Sequence, residues 1–244
     1  MTVPSGESGS PGGLDHIETD WSLIHEPTHV VMRYSGAIQS YFRALIKNHH
    51  DAEEVAQNFF LWVSQNGLPR ASKDRGRFRD YLKTVVRNAA LNFLRRNQAP
   101  VQNELVITNL AYQEKTPAVL DQEWLGEWRR CLLERVWQRL REYQTKARNN
   151  HSYTVLRLCA AHPEKKSEAL AEKLAIRIKK PVRAEAFRQQ VSRARRRFAQ
   201  YLVEEVAQTL SDPEPADVEG ELADLGLIDY VRDFLPLRRR IATS

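Results

Sequence analysis

Apolar residues recur at intervals of three and four along most of the chain, and no stretch alternates apolar and polar residues as a half-buried strand does. Between Trp21 and Asn48, Val30, Val31, Tyr34, Ile38, Tyr41, Phe42 and Leu45 fall on one side of a helix. Val55, Phe59, Trp62 and Val63 form the buried stripe of a second helix, with Asp51 as its N-cap or first-turn acid and Gly67 and Pro69 as its stop. Phe78 opens a third, with the stripe Leu82, Val85, Val86, Ala89 and Phe93. Further on, Leu120, Trp124, Trp128, Cys131, Leu132, Val136 and Leu140 predict a long helix to about Gln144, followed by a shorter one from Ser152 to Ala161. A helix over 167–174, the connection IRIKKPVRA and a helix from about Ala184 to Thr209 make a helix-turn-helix pattern, in which small Ala171 permits close approach. That connection is longer than a tight turn. The expected fold is all-α.

Breaks in the pattern organise the chain. Residues 1–20 are rich in Gly, Ser and Pro, cannot bury enough surface to offset their ordering entropy, and are expected to be a disordered tail. Residues 21–98 and 119–210 are expected as two small helical domains, joined by a flexible linker over 99–118 that begins at Ala99 and Pro100. One large domain also fits the length. In the C-terminal extension, 211–244, SDPEPADVEG is acidic and turn-like, and LADLGLIDYVRDFLPLRRR suggests a short terminal helix.

Charge adds a partner class. The net charge is +6 and the pI about 9.4, which suits a polyanion. Distribution says more than the sum: acid gathers at Asp51, Glu53 and Glu54 and over 212–224, base over 70–96 and 177–197. Two distant cysteines, Cys131 and Cys159, argue against a disulfide framework or a zinc site and fit a reducing cytoplasm. The N-terminus lacks the cationic start and apolar core of a signal peptide, and no apolar run approaches the ~18 residues of a spanning helix, so a soluble protein with no membrane partner is expected.

The third helix presents Thr84, Arg87, Asn88, Leu91 and Arg95 opposite its stripe, with Asn92 at the flank. Asn pairs bidentately with adenine and Arg grips phosphate or guanine, so this face suits nucleic acid; a plain solvated face is the alternative. The preceding cations Lys73, Arg75, Arg77 and Arg79 favour nucleic acid. The acidic start of the second helix, with Gln57, Phe60 and Trp62, would weaken that binding unless it faces another protein. On the last long helix Phe187, Val191, Ala194, Phe198 and Leu202 form the stripe, leaving Glu185, Gln189, Ser192, Arg193 and Arg196 outward and Arg188 at the edge. The nine cations from Arg177 to Arg197, against the single anion Glu185, fit a major-groove reader with flanking phosphate contacts. His49 and His50 sit at a helix end, where the dipole accounts for them, and His25 and His29 lack further ligands at metal-site spacing. No phosphate loop, nucleophile elbow or paired carboxylates occur, so neither catalysis nor a metal or cofactor is expected.

Together, DAEEVAQNFFLWV, a basic loop and FRDYLKTVVRNAALNFLRRN resemble region two of bacterial RNA polymerase sigma factors of the two-domain extracytoplasmic-function class. ALAEKL and FRQQVSRARRRFAQYL look like the helix-turn-helix of region four. The resemblance implies an alternative sigma factor, a cytoplasmic monomer when free, whose partners are core polymerase and promoter DNA. It implies contact with the beta-prime clamp helices through Asp51, Glu53, Glu54, Gln57, Phe60 and Trp62, and with the beta flap. Capture of the minus-ten strand would fall to Lys73, Asp74 and Arg75 of the loop and to Thr84, Arg87, Asn88, Asn92 and Arg95 of the helix. Many members carry a cation where this chain has Thr84. The minus-thirty-five element would be read by Arg183, Arg188, Gln189, Ser192, Arg193 and Arg196. An anti-sigma factor or other regulator is a further partner the family admits. A stand-alone dimeric helix-turn-helix regulator explains the second half as well.

Overall fold

The computed structural model describes residues 27–68, 77–97, 116–147, 149–210 and 213–234. Among them the regular elements are all helical: α1 Pro27–Leu45, α2 His49–Asn66, α3 Phe78–Asn97, α4 Pro117–Lys146, α5 Ser152–Ala161, α6 Ser167–Ile178, α7 Ala184–Ala207 and α8 Pro215–Asp224, followed by a 3-10 turn, Ile228–Tyr230.

The sequence pattern accounts for most of these. Every one of the seven residues expected on the α4 stripe is buried. Thr116 caps this helix through its side chain, which accepts from the Val119 amide, and Pro117 starts it, where the missing amide hydrogen is not needed. The rest of the expected linker, residues 99–115, lies outside the described residues, as do the side chains of Val30 and Val31.

Several boundaries differ from the expectation. Asn48, not Asp51, caps α2, its carboxamide oxygen accepting from the amides of His50 and Asp51; Asp51 sits in the first turn. His49 and His50 therefore open α2 at the positive end of its dipole, and His49 lies 3.6 Å from Glu53. Helix α6 runs on to Ile178, so only residues 179–183 connect it to α7. Lys179 makes this shorter turn by adopting a left-handed conformation, φ 55° and ψ 37°, at a cost of roughly 1–2 kcal/mol for a side chain with a Cβ. The acidic segment expected as a turn is largely helix α8. Pro215 stands in its first turn, and Glu214 and Asp217 form a reciprocal capping box. Gly226, at φ +64°, ends it: the Leu227 amide donates to Leu222 O at 2.8 Å and the Gly226 amide to Ala223 O at 2.9 Å, a Schellman closure. In place of the expected terminal helix the described residues hold only the 3-10 turn and turns to Phe234.

The two helical halves share one apolar core rather than standing apart. Helix α4 supplies the link, because its stripe is long enough to meet α1 with its first half and α7 with its second. Trp128 stacks on Tyr34 of α1 with centroids 4.2 Å apart and planes 5° from parallel, and Trp124 meets Tyr41 edge-on at 5.1 Å. Gly36 permits this approach: a Cβ there would lie 3.0 Å from Arg130 Nη2 and 3.4 Å from Cys131 Sγ. Beside the aromatics, buried Glu205 of α7 accepts from Arg135 at 2.8 Å and Arg139 at 3.2 Å, with Arg33 of α1 3.9 Å away. A carboxylate taken out of water is held only by such multiple partners.

Candidate protein-docking and nucleic-acid surfaces

Helix α2 buries Ala52, Val55, Ala56, Phe59 and Val63. Its other side exposes Glu53, Glu54, Gln57 and Asn58, continuing into Leu61, 57 % exposed, and Trp62, 39 % exposed, with Phe60 half-buried. Trp62 is thus on the outer face, not in the buried stripe, although its indole still reaches Phe59 at 6.2 Å. Positions 54, 57, 58, 61, 62 and 65 follow helical spacing, so the acid and the apolar groups form one continuous strip. Exposed large apolar side chains ringed by polar ones suit a protein partner. Leu61 and Asn58 were absent from the residues picked by sequence; that Leu61 falls off the α2 stripe is the signal that finds it. Glu53 is partly engaged, 3.8 Å from Arg43.

On α3, Thr84, Arg87, Asn88, Asn92, Arg95 and Arg96 are exposed together, while Leu91 is half-buried. The Thr84 hydroxyl donates to Asp80 O of its own helix at 2.9 Å, so its donor is used within the helix. Lys73, Asp74 and Arg75 lie outside the described residues.

The head of α3 departs from the expected cationic face. Arg79 is 6 % exposed and donates to Glu221 at 2.8 Å, and Arg77 pairs with both Glu221 and Asp224. Both arginines are therefore paired within the molecule, Arg79 buried and Arg77 still partly exposed. Burial pushes the Glu221 carboxyl above its ordinary range, while Arg79 and then Arg77 draw it back. The partner, on α8, is too distant in sequence for local charge patterning to reveal it.

On α7 the polar face stays outward: Arg183, Glu185, Arg188, Gln189, Ser192, Arg193 and Arg196 are all exposed. Arg188 lies 3.3 Å from Glu168 of α6, a surface pair of little strength. Arg197 differs, since its guanidinium lies over Tyr143 at 4.8 Å, an internal use. Two clefts flank the face. One, about 570 Å³, sets Ser192, Arg193 and Arg196 against Asn149, Asn150 and His151 of the α4–α5 turn; the other, about 510 Å³, sets Arg188 and Arg195 against Lys165 and Ser167. These turn residues were not singled out in the sequence, because nothing local ties them to α7. Burial raises both cysteine thiols above their ordinary range, so neither is a ready thiolate. Among the described residues no helix is long and apolar enough to cross a membrane.

The structure thus gathers the residues picked by sequence into three separate surfaces: an acidic and apolar strip on α2, an amide and arginine face on α3, and an arginine face on α7. Residues 30–99 match the family model described as Sigma-70 region 2, which spans α2, α3 and most of α1. No curated protein and no solved structure matches the chain.

Proposed function

We propose that this chain, whose residues 30–99 match Sigma-70 region 2, binds RNA polymerase and recognises promoters as an alternative sigma factor of the extracytoplasmic-function type; the match supports the first part of that reading. The single observation that carries the reading is the pairing, within the matched region, of an outward acidic and apolar strip on α2 with an outward Asn and Arg face on α3. On this reading Glu54, Gln57, Phe60, Leu61 and Trp62 dock on the polymerase clamp, with Asp51 and Glu53 at the acidic end. Leu61 and Trp62 supply desolvated anchors and the carboxylates give orientation and rate.

Thr84, Arg87, Asn88, Asn92 and Arg95 line the minus-ten strand, with the 73–75 loop holding an unpaired base. The factor performs no chemistry. Contacts to the opened strand offset the few kcal/mol that unstacking costs. Arg183, Arg188, Gln189, Ser192, Arg193 and Arg196 engage the minus-thirty-five element, phosphate contacts setting position and base edges setting sequence.

Purified protein added to core polymerase is expected to direct initiation from a subset of promoters. Absence of any factor-dependent transcript in a genome-wide survey would refute the reading.

A further inference from the structure

Five buried side-chain polar atoms lack a well-aligned hydrogen bond among the described residues: Trp124 Nε1, Trp128 Nε1 and Gln190 Oε1, together with Tyr34 Oη, which has Arg33 beside it, and Glu221 Oε2, which has only the Arg77 ion pair. All but Gln190 lie where the two halves meet each other or the C-terminal segment. Interior polar atoms are normally paired, and an unpaired one costs about 1–3 kcal/mol. Their concentration at these contacts marks a seam that gains hydration when it opens.

Helix α8 crosses that seam. Val218 and Leu222 are buried where it packs on α7, Arg129 of α4 donates to Leu225 O at 3.4 Å, and on the other side Glu221 and Asp224 take Arg79 of α3 and Arg77 just before it. The Glu221 contact to Arg77 Nε, at 3.2 Å, has ion-pair distance without hydrogen-bond alignment.

We infer that α8 is a releasable strap: docked, it closes the two halves on each other and places carboxylates where Arg77 would meet phosphate; released, it frees the halves to engage polymerase and promoter. The inference rests on the sigma-factor reading for its reason to open. Sites centred near minus ten and minus thirty-five lie ~85 Å apart at 3.4 Å per base pair. A compact chain of 244 residues has a radius of gyration of only ~18 Å, so the closed form is too short to serve both. The covalent chain over 98–115 has a reach of up to roughly 60 Å, enough for a large separation of α3 from α4.

The test compares the full chain with Glu221→Arg, which sets three cations against one another, and with Asp224→Arg, an exposed change that leaves the core intact. Glu219→Arg makes the same charge change on α8 outside these ion pairs. Small-angle scattering of the free protein and titration of core polymerase are the two readouts. Release is expected to raise the radius of gyration by roughly a third in Glu221→Arg. Apparent affinity for core is expected to rise about ten-fold there and about three-fold in Asp224→Arg, because apparent affinity scales with the competent fraction. Glu219→Arg should stay within about two-fold. Unchanged scattering in both strap variants, or an equal gain in Glu219→Arg, overturns the strap. Expansion without core binding supports the strap and sinks the sigma-factor reading alone, since scattering needs no polymerase.

Discussion

Helices α2 and α4 both carry tryptophan among polar residues, yet Trp62 is 39 % exposed while Trp128 is fully buried. The difference lies in what each helix has to cover. Helix α4 meets α1 along its first half and α7 along its second, so its whole stripe, aromatics included, is enclosed. On α2 the core is closed by Ala52, Val55, Ala56, Phe59 and Val63, and Leu61 and Trp62 fall outside that arc. An aromatic on the stripe holds the fold; one off the stripe is available to a partner. The arginines repeat the lesson, with Arg79 enclosed against Glu221 and Arg193 left in solvent.

Substitutions test this contrast directly. Trp128→Ala is expected to lose about 3–5 kcal/mol of stability in denaturant titration, through lost burial and a cavity at the seam. A loss below about 1 kcal/mol would show that the seam adds little to the folded state. Trp62→Ala should leave stability within about 1 kcal/mol and cost ~2 kcal/mol or more in affinity for core polymerase, measured by competition binding. If stability falls as far as in Trp128→Ala, the contrast fails. Arg193→Ala should weaken binding to upstream promoter DNA by about 1–3 kcal/mol with the melting curve unchanged, and equal affinity across sequences would remove it from the reading face.

The smallest effect concerns Tyr34, whose buried hydroxyl has its pKa raised to about 12, burial outweighing the pull of nearby Arg33. The folded state holds this proton more tightly than the unfolded chain, so stability from this group is present below pH 10 and lost as pH rises from 10 towards 12. Tyr34→Phe is expected to flatten that alkaline decline in denaturation midpoints, because it removes the titrating hydroxyl beside Arg33.

Much of this was legible in the sequence because it is local and periodic. The α4 stripe, α5 from Ser152 to Ala161 and the outward face of α7 follow from helical spacing alone. What escaped depends on competition or distance. Asn48 and Asp51 are both good caps, and only the geometry chooses Asn48. The segment before Asp224 is rich in Pro and acid, signals that serve turns and helix starts alike, and the Glu214–Asp217 box decides for the helix. Arg79 resembles Arg87 in sequence, but its partner is Glu221, 142 positions away. For the same reason the candidate surfaces were legible as faces, while the Asn149–His151 turn beside α7 was not.

The length of α7 has a mechanical consequence. Its 24 residues make an unbroken rod of about 36 Å, with the outward arginines in its first half and Glu205, seated among Arg33, Arg135 and Arg139, in its last turns. Such a rod transmits force along its length: on the proposed reading, a tilt imposed on the arginine end by promoter DNA would be felt at the other end, as a pull on the hub that joins α1 to α4. On that reading, seating α7 on DNA and loading the joint between the halves would be one motion.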